Sequence, residues 1–129
     1  MIRVDHISIQ TSNFETALKF YNEVLGFIIL VDPFNFKTRK LCYLDAGNIR
    51  IELYSTKNGT EVQYNNQRGG LDHIAFITED LEGLINRMIY YGIHVIKPPF
   101  LLETKAGVSF LAFVEGPDGQ EIELRQESI

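Results

Sequence analysis

The sequence predicts an α+β fold made of two β-α-β-β-β modules in a single domain of 129 residues. Three observations carry this expectation. The stretch "RVDHISI" at residues 3–9 returns as "GLDHIAF" at 70–76, each around an Asp-His-Ile core. Both halves end on the tripeptide Ile-Glu-Leu, at Ile51-Glu52-Leu53 and at Ile122-Glu123-Leu124. Between each histidine and the glycine that follows its helical stretch the spacing is nearly equal, 20 residues from His6 to Gly26 and 19 from His73 to Gly92. A self-similarity of this kind divides the chain into module one at about 1–56, a linker at about 57–69 and module two at about 70–129.

In module one the first strand pattern begins at Ile2. It leads into "SNFETALKFYNEVLG", where Phe14, Leu18, Tyr21 and Leu25 recur at helical spacing. Ser12 with Glu15 reads as a capping box, and Gly26 suits the position just past the helix end. Three strands follow, "FIILV", "KLCYLDAG" and "NIRIELY", with a Gly47-Asn48 turn between the last two. The polar stretch "STKNGTEVQYNNQRGG" reads as the linker. In module two "EDLEGLINRMIYYG" places Leu81, Leu84, Ile85 and Met88 on one helical face, with Gly83 a weak point. Its strands are "IHVIK", "VSFLAFVEG" and "QEIELRQ", with Asp118-Gly119 as the hairpin signal. "KPPFLLETKAG" reads as a loop that interrupts this module.

Composition narrows the class. An apolar content of 45% with 22% charged residues describes an ordinary globular protein. The formal charge of −5 disfavours nucleic acid or an anionic membrane as the main partner. Cys42 is the single cysteine, so no internal disulfide forms, and no run approaches about 20 apolar residues. The strand pattern at Ile2 leaves no room for a signal peptide. The expected location is the cytoplasm.

Side chains alternate along a strand, so Ile51 and Leu53 point one way and Glu52 the other. The same holds for His6 against Ile7 and Ile9, for His73 against Ile74 and Phe76, and for Glu123 against Ile122 and Leu124. Each His and Glu is therefore expected at the centre of its strand, on the face away from the helices. A lone strand histidine is usually a core or surface residue, and a lone strand glutamate is usually just solvated. Two His and two Glu at matched places in two modules form the donor set of a divalent metal, with open positions for water or substrate oxygens. The competing explanation is that repeat ancestry preserved these residues with no metal.

"VDHISI", "LDHIAF", "RIELY" and "FVEGPDGQEIEL" together resemble the vicinal oxygen chelate superfamily, also called the glyoxalase/bleomycin-resistance/dioxygenase superfamily, over essentially the whole chain. The resemblance implies an eight-stranded cupped sheet. "KAGVSFLAFVEGPDGQEIEL" is most similar to bacterial glyoxalase I, which implies His6, Glu52, His73 and Glu123 as metal ligands. It implies a lyase that isomerises the hemithioacetal of methylglyoxal and a thiol to an S-lactoyl thioester, by proton transfer through an enediolate on the metal. Glu123 and Glu52 would act as ligands and as acid/base groups. Nickel or cobalt is the favoured ion, with zinc a third candidate. A low-molecular-weight thiol is the cosubstrate, with Lys105 matching a loop lysine that faces its anionic tail. A homodimer is implied as well. Where eukaryote-like glyoxalases use Arg and Asn to hold glutathione, this chain has Gln10 and Thr56, which leaves the thiol open.

Two alternatives remain. "NQRGGLDHIAF" also suits a methylmalonyl-CoA epimerase, although "GPDGQEIEL" is more similar to the glyoxalase hairpin. A non-catalytic binding or resistance protein would use aromatic residues such as Tyr43, Tyr54, Tyr64, Tyr90 and Tyr91 as a drug groove, and would have no need of four ligands. Fosfomycin-modifying enzymes and extradiol dioxygenases use two His and one Glu, so Glu52 disfavours both.

Overall fold

The computed structural model describes residues 1–64 and 69–128. The chain divides into two compact units, Met1–Gln63 and Tyr64–Ile129, with the boundary inside the expected linker. Residues 65–68 of that linker lie outside the described residues.

The first unit runs β1 (His6–Gln10), α1 (Phe14–Lys19, continued as a π-helical turn over Phe20–Val24), β2 (Ile28–Phe36), β3 (Arg39–Asp45) and β4 (Arg50–Thr56). The second repeats it as β5 (Ile74–Thr78), α2 (Leu81–Tyr90), β6 (Val95–Thr104), β7 (Gly107–Glu115) and β8 (Glu121–Gln126). The eight strands form two four-stranded mixed sheets, in the orders β1-β4-β3-β2 and β5-β8-β7-β6. In each, the first and last strands of the module pair in parallel and the other pairs are antiparallel. The strand bearing Glu52 or Glu123 is thus central. It lies between the strand that begins at or just after the module's histidine and the module's third strand.

Alternation decides what each sheet buries. Ile9, Cys42, Leu44, Ile51 and Leu53 are buried on one side of the first sheet, where α1 contacts β4. Val114, Ile122 and Leu124 do the same in the second, where α2 contacts β8. Each fully buried Leu or Ile contributes about 1.5–3 kcal/mol of hydrophobic stabilisation, so the two helix-facing sides are the source of each unit's stability.

Several local expectations are corrected. The N-cap of α1 is Asn13, whose side chain accepts from the Thr16 N–H, while Ser12 Oγ instead accepts from Val62 N–H. The buried face of this helix is Phe14, Ala17, Phe20, Tyr21 and Val24, with Leu18 and Leu25 only half-buried. Positions 14, 17, 21 and 24 follow ordinary helical steps of three and four residues, and the helix closes in a wide turn where Leu25 N–H donates to the Phe20 carbonyl at 2.9 Å. Gly83 also leaves room for the cap of its helix. The Asp80 carboxylate caps α2 by accepting from Gly83 N–H, and a Cβ there would lie 2.3 Å from Asp80 Oδ2.

The largest correction concerns "KPPFLLETKAG". It is mostly strand, since β6 extends to Thr104 and only Lys105 and Ala106 turn the hairpin. Likewise β2 continues past "FIILV" to Phe36. Both are edge strands, and both shift register around their prolines, between Val31 and Phe34 and between Lys97 and Phe100. An edge strand tolerates the missing N–H, and a bulge absorbs it. The first strand begins at His6, not Ile2. The Gly47 and Gly119 turns form as expected, with Gly119 at φ +86°, a conformation that favours glycine.

Candidate functional site

Parallel pairing of β1 with β4 sets Ser8 opposite Glu52 and His6 opposite Arg50, and β3 sets Tyr43 against Glu52 from the other side. Glu52 therefore sits in the middle of three strands, on the face away from α1. His6 is the first residue of β1 and not its centre, and His73 lies one residue before β5. Both histidines thus stand at strand mouths, where each reaches across to the glutamate of the central strand.

His6 Nε2 lies 3.8 Å from Glu52 Oε2, and His73 Nε2 lies 3.3 Å from Glu123 Oε1. The two glutamate side chains are each 14% exposed, so both are largely withdrawn from water at equivalent places. On the other side of each ring, Nδ1 is held by the preceding aspartate, His6 by Asp5 at 2.7 Å and His73 by Asp72 at 2.6 Å. A carboxylate only accepts, so the ring nitrogen facing it carries the proton. In the neutral imidazole this leaves the Nε2 lone pair on the glutamate side. That is the tautomer and orientation in which imidazole ligates a metal, with an outer carboxylate fixing the ring. The donors therefore fit a divalent ion in chemistry, two N and two O. Among the described residues, no group of three or more His, Cys, Asp or Glu is arranged to hold a metal. Each unit presents one His–Glu pair.

The electrostatics differ between the pairs. Tyr43 Oη donates to Glu52 Oε2 at 2.5 Å and Ser8 Oγ to Oε1 at 2.9 Å. The Tyr43 hydrogen bond is the main cause that holds the Glu52 carboxyl below its ordinary range, helped by Ser8, His6 and Arg39 against partial burial. The same bond raises the Tyr43 phenol. His73 is held above its ordinary 6.5, chiefly by the hydrogen bond to Asp72, with the charge of Glu123 adding to it. Asp5 is lowered by His6 first and by Arg50, whose guanidinium reaches its Oδ2 at 2.6 Å. An arginine attends each glutamate, Arg39 at 4.0 Å from Glu52 and Arg125 Nε at 3.4 Å from Glu123. Arg39 comes from β3 and also lies over the Tyr54 ring at 3.9 Å, whereas Arg125 comes from β8 and donates to Ser109 Oγ.

Of the residues singled out from sequence, His6 meets Glu52 and His73 meets Glu123. Lys105 is elsewhere, at the exposed β6–β7 turn; from Gly107 to Phe113, the strand neighbour of Glu123, β7 spans roughly 20 Å. Gln10 accepts from Tyr54 Oη at 3.1 Å and lies on the same face as Ser8. Burial pushes the Cys42 thiol up to about 11, so this residue is packing and neither ligand nor nucleophile. Asp5, Asp72 and Ser8 were not foreseen as part of the site, and Tyr43 was named only as an aromatic of the alternative drug groove. The Asp-His dipeptide in both copies was a signal for the first two.

Residues 3–124 match the sequence profile of the Glyoxalase/Bleomycin resistance protein/Dioxygenase superfamily. A probable lactoylglutathione lyase of Synechocystis is 31% identical over 95% of this chain and 94% of its own length. A virulence protein of Salmonella typhimurium is 26% identical over 96% of this chain and 83% of its own. Among solved structures, the trypanothione-dependent glyoxalase I of Leishmania major is 27% identical, with a TM-score of 0.76 over 98% of this chain and 88% of that one.

Proposed function

The chain belongs to the Glyoxalase/Bleomycin resistance protein/Dioxygenase superfamily, and on that premise we propose that it is a glyoxalase I-like lyase acting on the hemithioacetal of methylglyoxal and a low-molecular-weight thiol. The observation that carries this reading is the repeated His–Glu pair, with the imidazole of each turned toward its glutamate by a preceding aspartate. His6, Glu52, His73 and Glu123 would hold one divalent ion, nickel or cobalt before zinc. Whether the two pairs come from one chain or from two chains of a homodimer, the donor set is the same. When bound, the ion supplies Lewis acidity toward two adjacent substrate oxygens.

The chain's own groups then handle the proton. Glu123 removes it from the carbon next to the carbonyl and returns it to the neighbouring carbon, which completes an isomerisation with no net redox change. Glu52, held ionised by Tyr43 and Ser8, would serve as a constant negative ligand. Arg39 and Arg125 place positive charge beside both carboxylates. The likeness to a lactoylglutathione lyase and to a trypanothione-dependent enzyme supports a thiol cosubstrate while leaving its identity open. Lys105, as an exposed cation on a hairpin tip, suits an anionic thiol tail.

The test is an isomerase assay. Protein loaded with nickel, cobalt or zinc is mixed with methylglyoxal and a panel of thiols, and thioester absorbance is followed. Thioester formation that disappears in Glu123→Gln supports the proposal, and the best thiol names the cosubstrate. A metal-loaded protein inactive with every thiol would sink it and would direct the next assay to acyl-CoA epimerisation.

A further inference from the structure

We infer that Tyr43 and Ser8 are positioning residues that lock the Glu52 carboxylate in one orientation, a restraint by hydroxyls that module one supplies and module two does not. This rests on the metal site proposed above.

The internal repeat provides the control. Glu52 on β4 has Ser8 and Tyr43 as its strand neighbours; Glu123 on β8 has Ala75 and Phe113 in the same two register positions. The aromatic ring does the same packing in both modules, edge-on to the histidine at 5.7 Å for Tyr43 and 6.1 Å for Phe113. A ring and a small residue are what the fold needs at these places. The two hydroxyls are additions confined to module one, and both are spent on the same carboxylate.

They engage different oxygens. Ser8 Oγ donates to Oε1 and Tyr43 Oη to Oε2, so rotation of the Glu52 carboxylate breaks two hydrogen bonds to a charged acceptor. Each carboxylate oxygen retains a further lone-pair direction, so accepting these bonds leaves it able to ligate a cation. Glu123 has no hydroxyl at either register position, and its polar neighbours are His73 Nε2 at 3.3 Å and Arg125 Nε at 3.4 Å. A carboxylate that would serve as a metal ligand gains from being pre-oriented.

The double variant Tyr43→Phe/Ser8→Ala gives module one the side chains that module two already uses. Three quantities are measured on the full chain: the melting temperature without metal, the dissociation constant for Co(II), and the visible ligand-field spectrum of the Co(II) protein. The expected result is a melting temperature close to the wild type's, Co(II) affinity lower by about 10–100-fold, and an altered spectrum. Ser8→Thr, which keeps the hydroxyl, is expected to retain wild-type affinity where Ser8→Ala does not. Unchanged affinity and spectrum in the double variant would overturn the inference. So would an affinity loss that tracks a large fall in melting temperature and is shared by Ser8→Thr. A wild-type chain that binds no Co(II) would overturn the metal site itself and this role with it.

Discussion

Asp72 Oδ2 lies 2.6 Å from Nδ1 of His73, and the contact leaves the opposite ring nitrogen 3.3 Å from Glu123. Asp5 and His6 repeat the relationship in the other module at 2.7 Å. Outer carboxylates of this kind fix ring orientation and raise imidazole basicity, and their loss commonly weakens metal affinity by about 10–100-fold. Asp72→Ala is expected to lower metal affinity by that order while leaving the fold intact, because Asp72 is exposed. Calorimetric titration of metal into the variant and the wild type checks it.

The raised pKa of His73 sets a pH dependence. Its hydrogen bond to Asp72 and the charge of Glu123 favour the protonated ring, so the proton persists above the ordinary 6.5. That proton must leave before Nε2 can ligate. Metal affinity is therefore expected to rise with pH while the ring is protonated, by about tenfold per pH unit for one released proton, and to level off above the raised pKa. In the metal-free protein the sign is opposite. The raised pKa means that this ring stabilises the fold fully below 6.5 and that the contribution fades as pH rises through the folded value.

Glu52 governs the acid side. Its folded pKa is below the ordinary 4.5, mainly through Tyr43, so its contribution is present above 4.5 and lost as pH falls through the folded value. The melting temperature of the metal-free chain is expected to drop below pH 4.5, and Glu52→Gln is expected to show a shallower drop. Thermal melts across pH 3–7, compared between the two, measure the difference.

Leu124 follows Glu123 on β8 and is fully buried against the helix-facing side. Leu124→Ala is expected to destabilise the fold by about 2–5 kcal/mol. Chemical denaturation reads this directly. Leu102, 41% exposed on edge strand β6, is expected to tolerate the same change with a much smaller effect.

Periodicity and repetition made much of this legible in the sequence. The alternation around Glu52 and Glu123, the glycines at 26, 92 and 119, and the order of elements all follow from local chemistry. The edge strands were harder, because Pro33, Pro98 and Pro99 break the local strand signal. Only pairing on one side, with bulges to absorb the lost donors, explains their place in β2 and β6. The α1 stripe differs because helical spacing permits steps of three or four residues, and 14, 17, 21 and 24 satisfy it as well as 14, 18, 21 and 25. The clamp on Glu52 lay beyond local reading: Ser8 is 44 residues from Glu52, and only the β1–β4 register joins them. Asp5 and Asp72 were in view beside their histidines, but their role depended on which ring nitrogen faced which carboxylate.

The central claim is that the two His–Glu pairs donate to one metal site. Titration of nickel or cobalt into metal-free protein, followed by calorimetry, tests it most directly. The expected result is one tightly bound ion per chain, lost in His6→Ala and equally in His73→Ala. Two ions per chain, with each variant losing only one, would show two separate sites and contradict the account.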